Sequence, residues 1–418
     1  MKRTAFAVIA ASAVFFIPLT WGKAVVLLED RARGGDVEAQ YLLAVNTFFG
    51  KDRPVNPVLA VYWFRKAANA GHAASQYNLA RCLERGWGCE KSPAQALNFY
   101  RMAMDKKLPE AALRYAELLY QGVPDEKGEN GNFPGLKADP DRALQIMREV
   151  ASNSKKGRIQ LARYLFKDAP KHGAELRRRI AAYANEADAD PEILVLYSAC
   201  LRSGIGGSID IAGGVAFLRR AADAGNAEAM AQLAEIYASG SGLPPDQKRS
   251  AELTRRAAKL GNQRALVNLG KMHLTGIEAE YDPAAAVKCF QRAAESGYPP
   301  ANCALGDCFA RGAGIEQNWQ KAAESYRLAA SGGDENGCLK LADCYASGQG
   351  VDKDETAAFY WYRRAVAAGS IAGMRKMAIA LLDGRGVRQN REAGFKLLQR
   401  AAASGDRTAQ FMLQHSGK

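Results

Sequence analysis

Apolar residues recur at three- and four-residue spacing in two alternating kinds of segment, which predicts amphipathic helices along almost the whole chain. The first kind, helix A, includes EAQYLLAVNTFF (38–49), ASQYNLARCLER (74–85), EAMAQLAEIYAS (228–239) and RALVNLGKMHLT (264–275). The second, helix B, includes VLAVYWFRKAANAG (58–71), GVAFLRRAADAG (214–225), AAVKCFQRAAESG (285–297) and AAFYWYRRAVAAG (357–369). Each helix A runs into a loop glycine: Gly50, Gly86 and Gly122, then Gly204, Gly240, Gly276, Gly312, Gly348 and Gly384, every step within a series being 36 residues. A fixed period means one helix pair stacked on copies of itself, because a lone pair cannot bury its apolar face. The expected fold class is therefore all-α: a right-handed superhelical solenoid of antiparallel helix pairs, with about ten 36-residue repeats and a terminal half repeat at 408–413.

The loops keep the same period. Six residues after the glycine stands a side chain able to accept from the free amides of helix B: Asn56, Ser92, Asp210, Asp246, Asp282, Asn318, Asp354 and Asn390. Pro57, Pro93 and Pro283 follow directly, where a missing amide costs nothing. Gly71, Gly225, Gly261, Gly297, Gly369 and Gly405 close helix B. Between Gly122 and Gly204 the 82 residues exceed two periods by ten, and VPDEKGENGNFPGLKA (123–138) reads as an inserted loop, after which Asp139-Pro140 restores the signal. Beyond it the pattern weakens, with Ala169 where a loop glycine is due and KKGRIQLARYLFKD running short, although two helices are still expected. The organisation expected is 25–122 for the N-terminal repeats with a capping helix from Ala24 to Arg33, 139–190 for a degenerate region, and 191–418 for the C-terminal repeats.

Residues 1–24 differ in kind. Lys2 and Arg3 precede an uncharged apolar run from Thr4 to Leu19, shorter than the ~20 helical residues that a bilayer core requires. It reads as an export signal cleaved after Gly22 or Ala24, with an uncleaved inner-membrane anchor as the alternative. The expectation is an exported bacterial protein, periplasmic or secreted, that meets the membrane only through such an anchor.

Eight cysteines in an exported chain invite a disulfide framework. Yet Cys82, Cys200, Cys308 and Cys344 each precede a loop glycine by four residues, so they share one structural position and read as buried thiols packing as small hydrophobes. Cys303 with Cys338 is the first pair to examine for a bridge, and Cys82 with Cys89 the second.

The pattern EAQYxLAxxYxxGxGVxxDxxxAxxWYRRAAxxG, strong at 36–107 and 192–418 and covering nearly everything from Gly35 onward, resembles the SEL-one-like repeat, a relative of the tetratricopeptide repeat. The resemblance implies the role of an adaptor that holds other proteins in complexes. One cysteine-rich exported branch of that family is associated with binding or hydrolysing β-lactams, through members that pair a cysteine near the end of helix B with one in the next helix A. Here Cys338 fits the second position but Ala330 replaces the first, which removes the reason to carry that activity over.

Composition changes the picture in one respect. Lysine and arginine, 57, exceed aspartate and glutamate, 44, giving a formal charge of +13 and a surface that attracts acidic partners. Five residues before the closing glycine of helix B, Lys66, Arg220, Arg256, Arg292, Arg327, Arg364 and Arg400 form a basic column, with Arg65, Arg219, Arg255 and Arg363 beside it. Stacked repeats would align these cations to hold an acidic peptide. The structural alternative pairs each with a carboxylate of the adjoining repeat or lays its stem over the core. The insertion at 123–138 is a second candidate surface, because irregular loops on a rigid array often carry binding.

Other chemistry is thin. GxSxG, HExxH, GxxxxGK[ST] and GxGxxG do not occur, and Gly348-Gln-Gly350 leads into a helix-capping loop rather than leaving a strand. Asp139 and Asp141 flank a helix start and suit its dipole. His72, His172, His273 and His415 lie far apart, so no metal or other cofactor is expected. The function expected is a non-enzymatic scaffold for proteins or peptides, with nucleic acid disfavoured by export. The alternatives are a cell-wall-related or β-lactam-binding or -hydrolysing protein, and a polysaccharide scaffold whose Trp63, Trp87, Trp319 and Trp361 would share one trough.

Overall fold

The structure, a computed structural model, describes residues 21–51, 53–128, 131–186 and 188–415, so the export-signal expectation lies outside the described residues up to Thr20. It forms two compact units, one ending at Ala182 and the other beginning at Tyr183.

The first unit opens with α1 (Trp21–Arg33), which packs on α2 (Val37–Phe49) as a front cap. Three helix pairs follow: α2 with α3 (Pro57–Asn69), α4 (Ala73–Arg85) with α5 (Pro93–Asp105), and α6 (Pro109–Gln121) with α7 (Pro140–Asn153). α8 (Lys155–Lys167) packs on α7, and α9 (Ala169–Ala184) crosses into the second unit. There the pairs are α10 (Pro191–Ser203) with α11 (Ile211–Asp223), α12 (Ala227–Ser239) with α13 (Gln247–Lys259), and α14 (Gln263–Thr275) with α15 (Pro283–Glu295). α16 (Pro299–Arg311) with α17 (Trp319–Ser331), α18 (Glu335–Ser347) with α19 (Glu355–Ala367), and α20 (Ile371–Asp383) with α21 (Arg391–Ala403) complete them, before the unpaired α22 (Arg407–His415). Each pair packs on its sequence neighbours, so within each unit the core is a strip running along the stack.

One loop design builds all of it. The loop glycines after α2, α4, α10, α12, α14, α16, α18 and α20 adopt the left-handed conformation and donate their amide to the last turn of helix A, as Gly86 does to Cys82 O. Every predicted capping side chain accepts from the first turn of helix B, as Asp246 does from Arg249 N at 3.0 Å, each worth ~1 kcal/mol. The capping residue's own amide reaches back to helix A, Ser92 N to Leu83 O at 2.8 Å, for example. Asp139 N makes the same bond to Leu119 O, also at 2.8 Å, so the insertion leaves and rejoins the repeat without altering its closure. Close approach of A to B depends on absent side chains: a Cβ at Gly270 would strike the Phe290 ring, and one at Gly306 the Tyr326 ring.

The structure adds to the sequence expectations in two places. The insertion is ordered as an antiparallel hairpin of β1 (Glu126–Gly128) and β2 (Gly131–Phe133), extended by a bridge between Val123 and Leu136, and Gly122 accordingly takes an extended ψ of 154° instead of the left-handed turn. In the degenerate region the A-to-B loop is gone: α8 ends at Lys167 and α9 starts at Ala169, with only Asp168 between. Polar side chains hold α9 to α7, through Arg148 with Glu175 at 2.8 Å and Lys171 with Asp141 at 3.0 Å.

Candidate functional site

Charge is distributed unequally between the two helix types. On the A helices it is matched across the stack. Lys340 of α18 pairs with Asp307 of α16 at 3.1 Å, Lys376 of α20 with Asp343 of α18 at 2.6 Å, and Arg264 of α14 with both Glu228 and Glu235 of α12. In the first unit Arg114 of α6 grips Glu84 of α4. Burial raises the carboxyl of Glu84, but the Arg114 and Tyr100 hydrogen bonds outweigh it and hold the group below its ordinary range. From helix B, Tyr326 and Tyr362 donate their hydroxyls to Asp307 and Asp343 at 2.7 and 2.8 Å. Burial, then those carboxylates, push both phenols up, so they stay protonated donors. The A-face carboxylates are thus largely consumed in holding one repeat to the next.

The B helices of the second unit are different. α11, α13, α15, α17, α19 and α21 carry sixteen lysines and arginines against six aspartates and glutamates, whereas the A helices of that unit are nearly balanced. Lys66, Arg220, Arg256, Arg292, Arg327, Arg364 and Arg400 are all exposed, and among the described residues none is in an ion pair. Carboxylate pairing therefore does not explain the column. Stacking explains part of it: Lys66 lies 5.0 Å from the centre of the Tyr62 ring, Arg220 5.2 Å from Phe217 and Arg364 5.3 Å from Trp361. Six of the seven occupy the last turn of helix B, where a cation suits the dipole.

Arg327 is out of register with the other six. The left-handed residue closing α17 is Gly333, with φ +83°, not Gly332. Counted from it, Arg327 falls in the neighbouring column of Arg219, and both donate to a tyrosine of the next helix A, Arg327 to Tyr345 at 3.5 Å and Arg219 to Tyr237 at 3.1 Å. Leu328, 57% exposed, stands in its place and interrupts the ladder. Of the flanking column, Arg255 donates to the backbone carbonyl of Glu278 and Arg363 lies over the Tyr360 ring.

The second candidate surface is tethered. Glu126 of the hairpin accepts from Ser92 Oγ at 2.5 Å and from Ala94 N at 3.3 Å, a carboxylate held on the first turn of α5. Asp125 accepts from Gly135 N at 2.7 Å and fixes the hairpin's base. The four tryptophans serve the core or local stacking: Trp63 is buried, Trp319 and Trp361 pack against buried clusters, and Arg85 lies over Trp87.

No disulfide joins Cys303 to Cys338 or Cys82 to Cys89, and six of the eight cysteines are buried. Burial pushes Cys82 and Cys303 up to about 12 and Cys308 and Cys344 to about 11, which leaves them protonated and poorly nucleophilic. Cys338 points its thiol at Ala330 O, the carbonyl position that Gln76 and Gln410 reach in their own repeats through Ala68 O and Ala402 O. Among the described residues no cluster of three His, Cys, Asp or Glu side chains could hold a metal ion, and no helix is long and apolar enough to cross a membrane.

Comparison with known proteins agrees with the period. The Sel1 repeat model matches nine segments: 37–72, 73–107, 109–153, 194–226, 227–262, 263–298, 299–334, 336–370 and 371–406. Nine repeats replace the expected ten or so, because 154–193, where the A-to-B loop is deleted, matches nothing in that model. A Sel1 repeat protein from Oxalobacter formigenes is 25% identical, with a TM-score of 0.52 over 60% of this chain and 97% of that one. A protective antigen of uropathogenic Escherichia coli with the SLR fold is 21% identical, with a TM-score of 0.49 over 94% of this chain and 89% of that one. The chitin synthase regulator SKT5 of Saccharomyces cerevisiae is 31% identical over 88 residues, 21% of this chain, which spans only 13% of that regulator.

Proposed function

The chain belongs to the Sel1 repeat family, a protein-interaction scaffold type, and on that premise we propose that it is a non-enzymatic scaffold that binds acidic peptide segments along the exposed basic edge of its B helices. The observation that carries this reading is a contrast between the two helix types: Arg264, Lys340 and Lys376 of the A helices are spent on carboxylates of the stack, whereas the column cations Arg220, Arg256, Arg292, Arg364 and Arg400 of the B helices are exposed and, among the described residues, in no ion pair. A repeated array of guanidinium groups offers an extended acidic segment several charge-assisted hydrogen bonds at the spacing of the repeats.

The proposed setting is the bacterial envelope, reached through the segment Lys2 to Leu19, with the protein either released or held by that segment. Buried, protonated thiols and carboxylates already engaged with lysine, arginine and tyrosine leave little to serve as nucleophile or general base. The test is fluorescence anisotropy with a labelled glutamate-rich peptide, comparing the native chain with the triple variant Arg220→Ala, Arg256→Ala, Arg292→Ala. Saturable binding weakened about tenfold or more in the variant supports the reading, at roughly 0.5 kcal/mol per exposed pair lost. Equal affinity of the two proteins, or turnover of a chromogenic β-lactam that a point substitution abolishes, overturns it.

A further inference from the structure

At one place on the basic edge two cations converge on the same atom. Three residues before its loop glycine, helix A carries a phenol in only two repeats, Tyr237 of α12 and Tyr345 of α18; elsewhere the position holds residues such as Leu83, Leu201 and Phe309. Both phenols accept from an arginine of the preceding helix B, Arg219 on Tyr237 at 3.1 Å and Arg327 on Tyr345 at 3.5 Å. Only Tyr237 has a second. Arg249, in the first turn of α13, donates to the same hydroxyl oxygen at 3.4 Å, and its guanidinium carbon lies 5.8 Å from the ring centre. In α19 the corresponding residue is Ala357, so Tyr345 has no such partner from that side.

Two guanidinium groups from successive B helices thus close on one neutral oxygen, and like charges brought this near repel. Among the described residues, Arg219 is in no ion pair, and Arg249 has one, through Nε to Asp246 at 3.4 Å. The surroundings add more of the same sign, because α13 sets Lys248, Arg249, Arg255, Arg256 and Lys259 against Glu252 alone. Both arginines are exposed, so an anion can reach them from solvent.

The phenol completes the arrangement. Among the described residues its hydroxyl accepts twice and donates to no group. Burial raises the group, but the hydrogen bonds from Arg249 and Arg219 outweigh it and draw the phenol below its ordinary value, which strengthens the hydroxyl as a donor. Each guanidinium carries five N–H donors and spends one on Tyr237. Free donors from three side chains therefore surround one point.

We propose that Arg219, Arg249 and Tyr237 form a seat between α11 and α13 for a phosphate monoester, with each guanidinium donating to one terminal oxygen and the Tyr237 hydroxyl to the third. A dianion with three terminal oxygens matches two cations and three donor groups. A carboxylate brings two oxygens and a single charge, and leaves one donor unmet. That the phosphate is carried on a side chain of a docked segment rests on the peptide-scaffold reading; the seat itself does not.

The test is calorimetric titration of the full chain with phenyl phosphate and with benzoate. Saturable binding of phenyl phosphate, roughly tenfold tighter than that of benzoate, is expected. Tyr237→Phe, Arg249→Ala and Arg219→Gln each install the residue that a sibling repeat already carries, at Phe309, Ala357 and Gln291, which keeps the fold. The double variant Arg219→Gln, Arg249→Ala should bind phenyl phosphate at least about tenfold more weakly, and Tyr237→Phe roughly fivefold. No saturable binding, equal binding of the two anions, or unchanged binding in the double variant would overturn the seat. A labelled phosphoserine peptide then tests the carrier: it should bind more tightly than its glutamate counterpart, a preference that the double variant abolishes. Equal affinity of the two peptides, with capture of the chain by phosphatidate vesicles or without it, would overturn a peptide as the carrier. The triple arginine variant keeps the seat intact, so loss of glutamate-rich peptide binding there with phenyl phosphate binding retained separates this site from the rest of the basic edge.

Discussion

At the scale of single residues the repeat acts as its own control, because each position is tried several times in one chain. The residue closing helix B is left-handed in every repeat except that of α7, which ends at an extended Ser154, and it is glycine at Gly71, Gly225, Gly261, Gly297, Gly333, Gly369 and Gly405 but lysine at Lys107, with φ 62°. A side chain there costs about 1 kcal/mol. Lys107→Gly should therefore raise the stability of the first unit by roughly 0.5–1 kcal/mol, net of the added chain entropy, as measured by urea denaturation. A lowered midpoint would contradict the assignment. The capping residues and loop glycines were legible in the sequence because their chemistry is local. The register of Arg327 was not: Gly332-Gly333 offers two closing glycines, and only the backbone shows which is left-handed. Cysteine reactivity is set at this scale as well. Cys89 and Cys289 are part-exposed and the other six buried, so a thiol reagent should modify at most two groups quickly in the native protein and all eight after unfolding. Fast modification of four or more would mean that the helix contacts around Cys82, Cys303 and Cys338 are wrongly drawn.

At the scale of elements, the helices were readable from their 3.6-residue periodicity, and the exceptions were not. The polar, glycine-rich composition of 123–138 marks an insertion but cannot say that Glu126 reaches 32 residues back to the amide of Ala94 and pins a hairpin there. The α8–α9 junction likewise shows only as a missing glycine, whereas its consequence is that ion pairs take over from loop geometry. Arg148 and then Arg179 hydrogen-bond Glu175 and depress its carboxyl to about 2. A depressed carboxyl stabilises the fold above its unfolded value, ~4.3, and loses that contribution as the pH falls toward 2. Glu175→Gln should accordingly be less stable than the native chain at pH 6, with the gap closing between about pH 4.5 and 2 in urea midpoints taken across that range. A gap independent of pH would show that the Arg148–Glu175 contact does not anchor α9.

For the whole molecule, the sequence yields the stack and the sign of its charge, since a fixed period and an excess of arginine are both plain in one dimension. How the charge divides between the two helix types is a property of the fold. It required knowing that Lys340, Lys376 and Arg264 face carboxylates of the previous helix A, while Arg220, Arg256, Arg292, Arg364 and Arg400 face none among the described residues. Exposed cations acting through solvent are screened by salt over ~8–10 Å, whereas apolar docking is not. The most direct measurement is the affinity of a labelled glutamate-rich peptide at low and at physiological ionic strength, for the native chain and for the variant with Arg220, Arg256, Arg292 and Arg364 each changed to Glu, both checked for equal helicity. Binding by the native chain that weakens steeply with salt, and is lost in the variant at both ionic strengths, is the predicted result; binding that ignores both salt and charge reversal would contradict a basic helix-B edge as the working surface.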